Sequence, residues 1–302
     1  APVTAAAAET QAEAVGASSG TTGDCTWTLD DEGVLTISGQ GAMADYAGNN
    51  AASWGTNIKT VIINSGVTGI GNNAFYNCKT LTGIDIPDSV TSIGSSAFAK
   101  CQALTSIIIP DSVTGIADKT FFGCSNLTGV TIGNNVTNIG NAAFGYCAGL
   151  TNLTIPDSVI SIGDDAFVEG ALRTITIPGS VKHIGVCRYF LDDEGGDEVY
   201  VVDSVFCDCY FLKIYGYTGT YIEQYAKQYQ LNFISLGAIG EVTSDNGVNI
   251  KDVTAIQRYL GELETFNDDQ LFLADTNGDG VVNINDATHL QKYLAEYDVV
   301  LG

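Results

Sequence analysis

IGNNAFYNCKTLTGIDIP, residues 70–87, decides the fold, because the chain repeats it. The further copies are IGSSAFAKCQALTSIIIP at 93–110, IADKTFFGCSNLTGVTIG at 116–133, IGNAAFGYCAGLTNLTIP at 139–156, and IGDDAFVEGALRTITIP at 162–178, which is one residue short. Self-similarity at a fixed period marks a solenoid, in which no copy can bury its apolar side alone and a stack of copies can. Each copy predicts two short strands, such as Leu81 to Ile86 and Val90 to Ile93, joined by a turn and an AF..C segment. The Phe at 75, 98, 121, 144 and 167 are expected to stack inside, each burying ring area worth about 25 cal/mol per Å². Gly at 71, 94, 140 and 163 suits a tight or positive-φ backbone, and Pro at 87, 110, 156 and 178 ends a strand.

Cysteine follows the same period. Cys78, Cys101, Cys124 and Cys147 stand 23 residues apart, so they read as one repeat position, buried free thiols in the wall, and not as a disulfide framework. Outside that row, Cys187 can bridge to Cys207 or to Cys209. The period breaks once. From Gly185 to Phe206 there are 21 positions where an ordinary copy has 4, an insertion of 17 residues that spans 186–202. Five carboxylates lie among residues 192–198, which predicts a solvated acidic surface loop. A binding role is the other reading, since solenoid insertions gather on one face.

With 302 residues the chain is long enough for one large domain or two. Its net charge of −23, from 12 Lys+Arg against 35 Asp+Glu, repels phosphate backbones and anionic lipid, so nucleic acid and membrane surfaces are excluded as expected partners. No apolar run is long enough to span a membrane. The opening APVTAAAAETQAEAVGASSG reads as a weakly ordered leader over 1–21, left by signal cleavage or by cloning, and suggests secretion.

A second pattern lies near the end. In DTNGDGVVNIND, residues 275–286, Asp275, Asn277, Asp279, the Val281 carbonyl, Asn283 and Asp286 fall at positions 1, 3, 5, 7, 9 and 12, with Gly280 at the turn. That is the oxygen spacing of an EF-hand loop, which wraps a hard cation needing six to eight oxygens. An earlier copy, EVTSDNGVNIKD, puts Glu241, Thr243, Asp245, the Gly247 carbonyl, Asn249 and Asp252 at the same positions. The flanks repeat too, DVTAIQRYL against DATHLQKYL. Calcium is expected at both loops.

The repeat resembles the leucine-rich repeats of BspA-like bacterial surface proteins. That resemblance implies an opening cap over 22–58, where TWTLDDEGVLTISGQGAMADY and Trp54 shield the first coil. The solenoid then runs over 59–236, and residues 214–236 form a closing cap of helix then strand in which Tyr221 and Tyr225 fold onto the last coil. Residues 238–302 resemble a type I dockerin, two loop–helix units without clear entering helices. The fold class is therefore α+β: a leucine-rich-repeat solenoid of short parallel strands, then a small all-α dockerin with two EF-hand-like calcium loops. The resemblance implies docking to a cohesin module of a scaffoldin. Loop positions 10 and 11 and a basic residue on the next helix would make the contact: Ile250, Lys251 and Arg258 in the first unit, Ile284, Asn285 and Lys292 in the second. Their near-duplication implies two binding orientations.

No catalytic motif accompanies these patterns. The two histidines, His183 and His289, have no nucleophile partner. The outward strand positions hold Thr82, Thr105, Thr128 and Thr151 in one row and Asp85, Ile108, Thr131, Thr154 and Thr176 in another, one carboxylate in all, which is not the acid/base pair of a glycoside hydrolase. The chain reads as no enzyme. It reads as a secreted, extracellular component, held at the cell surface through the cellulosome, whose solenoid binds a protein or surface partner. A carbohydrate-binding adhesin and a spacer without ligand are the other readings.

Overall fold

The computed structural model describes residues 18–47, 52–192, 198–207, 209–243, 248–277, 281–295 and 301. Ser18–Thr22, Cys25–Leu29 and Val34–Gly39 pair antiparallel, and from there the chain switches to parallel strands, with Thr60–Ile63 and then Gly83–Asp85 added in order. Residues 18–21, placed in the leader by composition, are thus part of the opening cap. Residues 1–17 lie outside the described ones.

Each coil then adds a rung on three sides. Ser106–Ile108, Gly129–Thr131, Asn152–Thr154 and Thr174–Thr176 continue the first side, and Lys213–Thr218 and Asn232–Ala238 finish it. Val67–Ile70, Ser92–Ile93, Asn138–Ile139, Ser161–Ile162 and His183–Ile184 form the second. The third has no strands among the described residues. Its AF..C turns are joined by backbone rungs at alternate residues: Asn73, Phe75 and Asn77 N–H donate to Ser95, Ala97 and Ala99 O at 2.7–3.0 Å, and Phe98 N–H to Thr120 O and Phe121 N–H to Ala143 O at 2.9 Å continue the central row.

The interior is the predicted stack. Phe75, Phe98, Phe121, Phe144, Phe167 and Phe206 are buried, with centroids 5.3–6.0 Å apart and planes within 16°. Trp54 covers the first ring at 5.9 Å, and Tyr225 closes the last edge-on at 6.4 Å. Tyr225 sits on helix α1, Tyr221–Gln228. Its hydroxyl donates to Gly185 O at 2.9 Å and accepts from Val205 N–H at 2.7 Å. The polar end of the ring is therefore satisfied while its apolar body caps the stack.

The repeat glycines work by close approach. A Cβ on Gly71 would stand 1.9 Å from Ala44 O, and one on Gly94 2.5 Å from Asn72 N. None of Gly71, Gly94, Gly140 and Gly163 has positive φ. Two residues on, non-glycine residues do: Asn73, Ser96, Lys119, Ala142 and Asp165, at 52–57°. A polar chain runs beside them. The Asn72 side-chain oxygen accepts from Ser95 N–H, Asp118 from Asn141 N–H, Asn141 from Asp164 N–H, and Asp164 from Val186 N–H, at 2.6–3.0 Å.

The thiol row is buried and reduced. Cys101, Cys124 and Cys147 donate to the carbonyls of Phe75, Phe98 and Phe121 at 3.1–3.2 Å. Burial pushes the Cys78 and Cys124 thiols up to about 12 from 9.0, and Cys101 and Cys147 well above it. The neutral thiol is the form the fold holds. This contribution to stability is therefore whole below pH 9.0 and lost as pH rises through about 12. The unfolding midpoint should fall over that window, and a Cys78/Cys101/Cys124/Cys147→Ala quadruple variant should lose that part of the fall.

Cys187 is bridged to Cys207, and Cys209 remains a thiol. The insertion is a hairpin rather than a loop: Val186–Asp192 pairs antiparallel with Glu198–Ser204 in unbroken register. VCRYFLD and EVYVVDS are rich in β-branched and aromatic residues, which favour a strand pair. Residues 193–197 of the acidic tract lie outside the described ones.

Candidate calcium centre and docking face

Beyond Ala238 three helices gather on a second core: α2 Ile250–Leu260, α3 Asp268–Ala274 and α4 Ile284–Leu294. α2 and α4 begin alike. Asn249 and Asn283 are N-caps whose side-chain oxygens accept from Lys251 N–H and Asn285 N–H, at 2.9 and 2.8 Å. Asp252 and Asp286 complete the capping boxes by accepting from the Asn249 and Asn283 N–H groups at 2.8 Å. Position 12 of each loop is thus a helix-start residue as well as a closing carboxylate.

Both carboxylates are fully buried. Asp252 Oδ1 also accepts from Val242 N–H, Thr243 N–H and the Thr243 hydroxyl at 2.9–3.0 Å, which draws the first half of the loop against the second. Asp286 Oδ1 reaches Asn277 N–H at 3.2 Å, and the Thr276 hydroxyl donates to Asp286 O at 2.8 Å. His289 Nδ1 lies 2.7 Å from Thr276 O. Buried charge with neutral donors around it is costly unless a cation offsets it. Every hydrogen-bond partner of Asp252 is neutral, in a module with twelve carboxylates and three basic residues. The donors at hand are carboxylate, amide, hydroxyl and carbonyl oxygens, which fit calcium.

Glu241, Thr243, Asn249 and Asp252 in the first loop, and Asp275, Asn277, Val281, Asn283 and Asp286 in the second, are described. Asp245, Gly247 and Asp279 lie outside the described residues. Among the described residues no group of three His, Cys, Asp or Glu stands ready to hold a metal. Asn283 turns its amide to Val281 O at 2.9 Å.

The contact residues named from the sequence fall on the surface. Ile250 is 63% and Ile284 61% exposed, one residue past each N-cap. Lys251, Asn285, Arg258 and Lys292 are exposed as well, Arg258 with Nε at 3.2 Å from Glu264. Nothing in the spacing of Glu264 marks it as the partner of Arg258. α3 is a second difference. It leads directly into the loop at Asp275, an entering helix for the second unit, and it starts on a capping box of Asn267 and Gln270. The NDDQ signature was legible, though its seven residues are too few to show a period. The first unit is entered from a strand, Asn232–Ala238.

Residues 68–190 match the BspA type leucine rich repeat region in six copies, and residues 239–295 match the dockerin type I domain. Among solved structures, a leucine rich cell surface protein from Faecalibacterium prausnitzii is 31% identical, with 66% of this chain on 54% of that one at a TM-score of 0.46. This chain therefore spans about half of that protein's length. A leucine-rich repeat protein from Eubacterium ventriosum is 22% identical over 73% of each chain, with a TM-score of 0.33. One from Bacteroides ovatus is 21% identical over 72% of this chain and 66% of that one, at 0.35. No curated protein matches the chain. Type I dockerin domains bind calcium and dock onto cohesins in cellulosome-type assemblies, and both module types are non-catalytic. The chain carries a BspA-type leucine-rich-repeat solenoid over residues 68–190 and a type I dockerin domain over 239–295.

Proposed function

We propose that this chain is a secreted, non-catalytic component of a cellulosome-type assembly, docking to a cohesin on a scaffoldin while the solenoid engages a protein or surface partner. The duplicated, exposed docking sets carry the reading. Ile250, Lys251 and Arg258 stand at the same offsets from Asn249 as Ile284, Asn285 and Lys292 do from Asn283. An exposed Ile one residue inside a helix contributes nothing to this module's own core, so its burial is left to a partner. Two calcium ions hold the module, one on Glu241, Thr243, Asp245, Gly247, Asn249 and Asp252, the other on Asp275, Asn277, Asp279, Val281, Asn283 and Asp286. No helix among the described residues is long and apolar enough to cross a membrane.

The test is calorimetric titration of the full chain with cohesins from candidate scaffoldins, in calcium and then in chelator. Binding in calcium alone is expected. Ile250→Asp and Ile284→Asp should each leave binding in place through the other face, and the double variant should abolish it. A double variant that binds like the parent would remove these residues from the docking face. Tyr210 and Phe211, 84% and 85% exposed in a turn of the last coil, favour carbohydrate contact as the second reading for the solenoid. Retention of the chain on insoluble plant polysaccharide, lost in a Tyr210→Ala/Phe211→Ala variant, would select it.

A further inference from the structure

The junction between the two modules has no slack. Ala238 is the last ladder residue of the solenoid, paired with Thr218. The next residue, Ile239, is 3% exposed inside the dockerin core while its N–H still faces Thr218 O at 3.4 Å. Gly240 N–H then donates to Leu273 O on α3 at 2.8 Å. The packing crosses the joint as well. Tyr217, from the penultimate solenoid strand, lies against the dockerin core, and a Cβ on Gly237 would stand 3.8 Å from Leu273 Cδ1. Gly237 and Gly240 turn the chain at φ of 143° and 89°.

A solenoid's last strand exposes an unpaired edge and an apolar end, and these ends are shielded by caps. Here the final strand is Asn232–Ala238, and its outgoing residue is a core residue of the next module. We propose that the dockerin is the outermost cap of the solenoid, so that the folded state of the calcium module sets the stability of the last solenoid strands. The partner of this surface is the chain's own C-terminal module. The proposal rests on the dockerin reading for its calcium dependence and on packing alone for the cap. Local stability is then not a property of the solenoid by itself: anything that binds the folded dockerin raises the opening free energy of the neighbouring strands.

The experiment is amide hydrogen exchange on the full chain, in calcium, in chelator, and in Gly240→Val. That substitution places a side chain where a Cβ already meets Leu290 at 2.8 Å, on a backbone at φ of 89°, and disrupts the module whether or not calcium is present. Exchange in Asn232–Ala238 and Lys213–Thr218 should rise about tenfold or more together with that of the helices. Exchange in Asn152–Thr154 and the earlier coils should stay as it was. Unchanged protection of Asn232–Ala238 while the helices of Gly240→Val exchange freely overturns the proposal. If chelator leaves the helices protected, calcium is not what folds them, and the Gly240→Val arm decides the cap by itself. Cohesin titration of the intact chain is read separately, so a docking failure with the coupling intact removes the assembly role and leaves the cap.

Discussion

Phe121→Ala should lower the stability of the solenoid by about 3–5 kcal/mol, the cost of deleting a large ring from a core that cannot collapse around the gap. Phe121 is wholly buried, with Phe98 at 5.5 Å on one side and Phe144 at 5.4 Å on the other. Both neighbours lose a face when it goes. Collapse is barred because the coil spacing is fixed independently on three sides by strand rungs and by Phe121 N–H to Ala143 O. A solenoid is held only by nearest neighbours, so one weakened interface divides the stack and cooperativity should suffer along with the midpoint. Denaturant unfolding checks both. The control is adjacent: Phe122 is half-buried on the outside, 5.0 Å from the Tyr146 ring, and Phe122→Ala should cost about 1 kcal/mol. Equal losses at the two positions would mean that the ring stack is not the core.

The second large effect belongs to the closing carboxylates. Asp252→Ala should empty the helical far-UV signal of the dockerin and take cohesin binding out of the measurable range, with the β signal of the early coils kept. Two losses combine. The side chain accepts four hydrogen bonds, from Val242 N–H, Thr243 N–H, the Thr243 hydroxyl and Asn249 N–H, and each buried donor left without a partner costs about 1–3 kcal/mol. A module this small has only a few kcal/mol to lose. The charge that calcium would offset also disappears, and metal binding supplies folding free energy to such domains. Asp252→Asn separates the parts, since it keeps an acceptor and removes the charge. It should fold only at raised calcium, whereas Asp252→Ala should not fold at any calcium level. A helical signal indifferent to excess chelator in the parent chain would contradict the calcium part and leave the capping part in force.

What could be read from residues alone was whatever recurs. Phe and Cys at a 23-residue period announced an interior ladder, and the oxygen spacing of 275–286 with its earlier copy announced two loops. Single events were harder. The acidic tract at 192–198 points to a solvated loop, yet β-branched and aromatic residues outnumber acidic ones across 186–204 and pair as strands on either side of it. The repeat glycine suits a tight or a positive-φ backbone, and it is the first that applies: the preceding coil's backbone leaves no room for a Cβ. The left-handed positions two residues on hold Asn, Ser, Lys, Ala and Asp, a conformation no propensity assigns to Lys or Ala. The bridge from Cys187 needed coordinates, because Cys207 and Cys209 are both near the start of the same coil. Arg258 with Glu264, and Tyr217 on the second core, are contacts between elements and leave no trace in spacing.

The side-chain relay from Asn72 to Ser95, Asp118 to Asn141, Asn141 to Asp164 and Asp164 to Val186 always points one way, each coil holding the backbone of the one after it. Asn72, Asn141 and Asp164 each accept an N–H from the coil after them and give their own N–H to a carboxylate or amide oxygen on the coil before. Recombination that adds or removes one whole repeat rejoins seams of the same kind. Length is the property such a chain can change most freely over generations, and each change would carry whatever sits at its far end outward by one rung and around by one increment of twist.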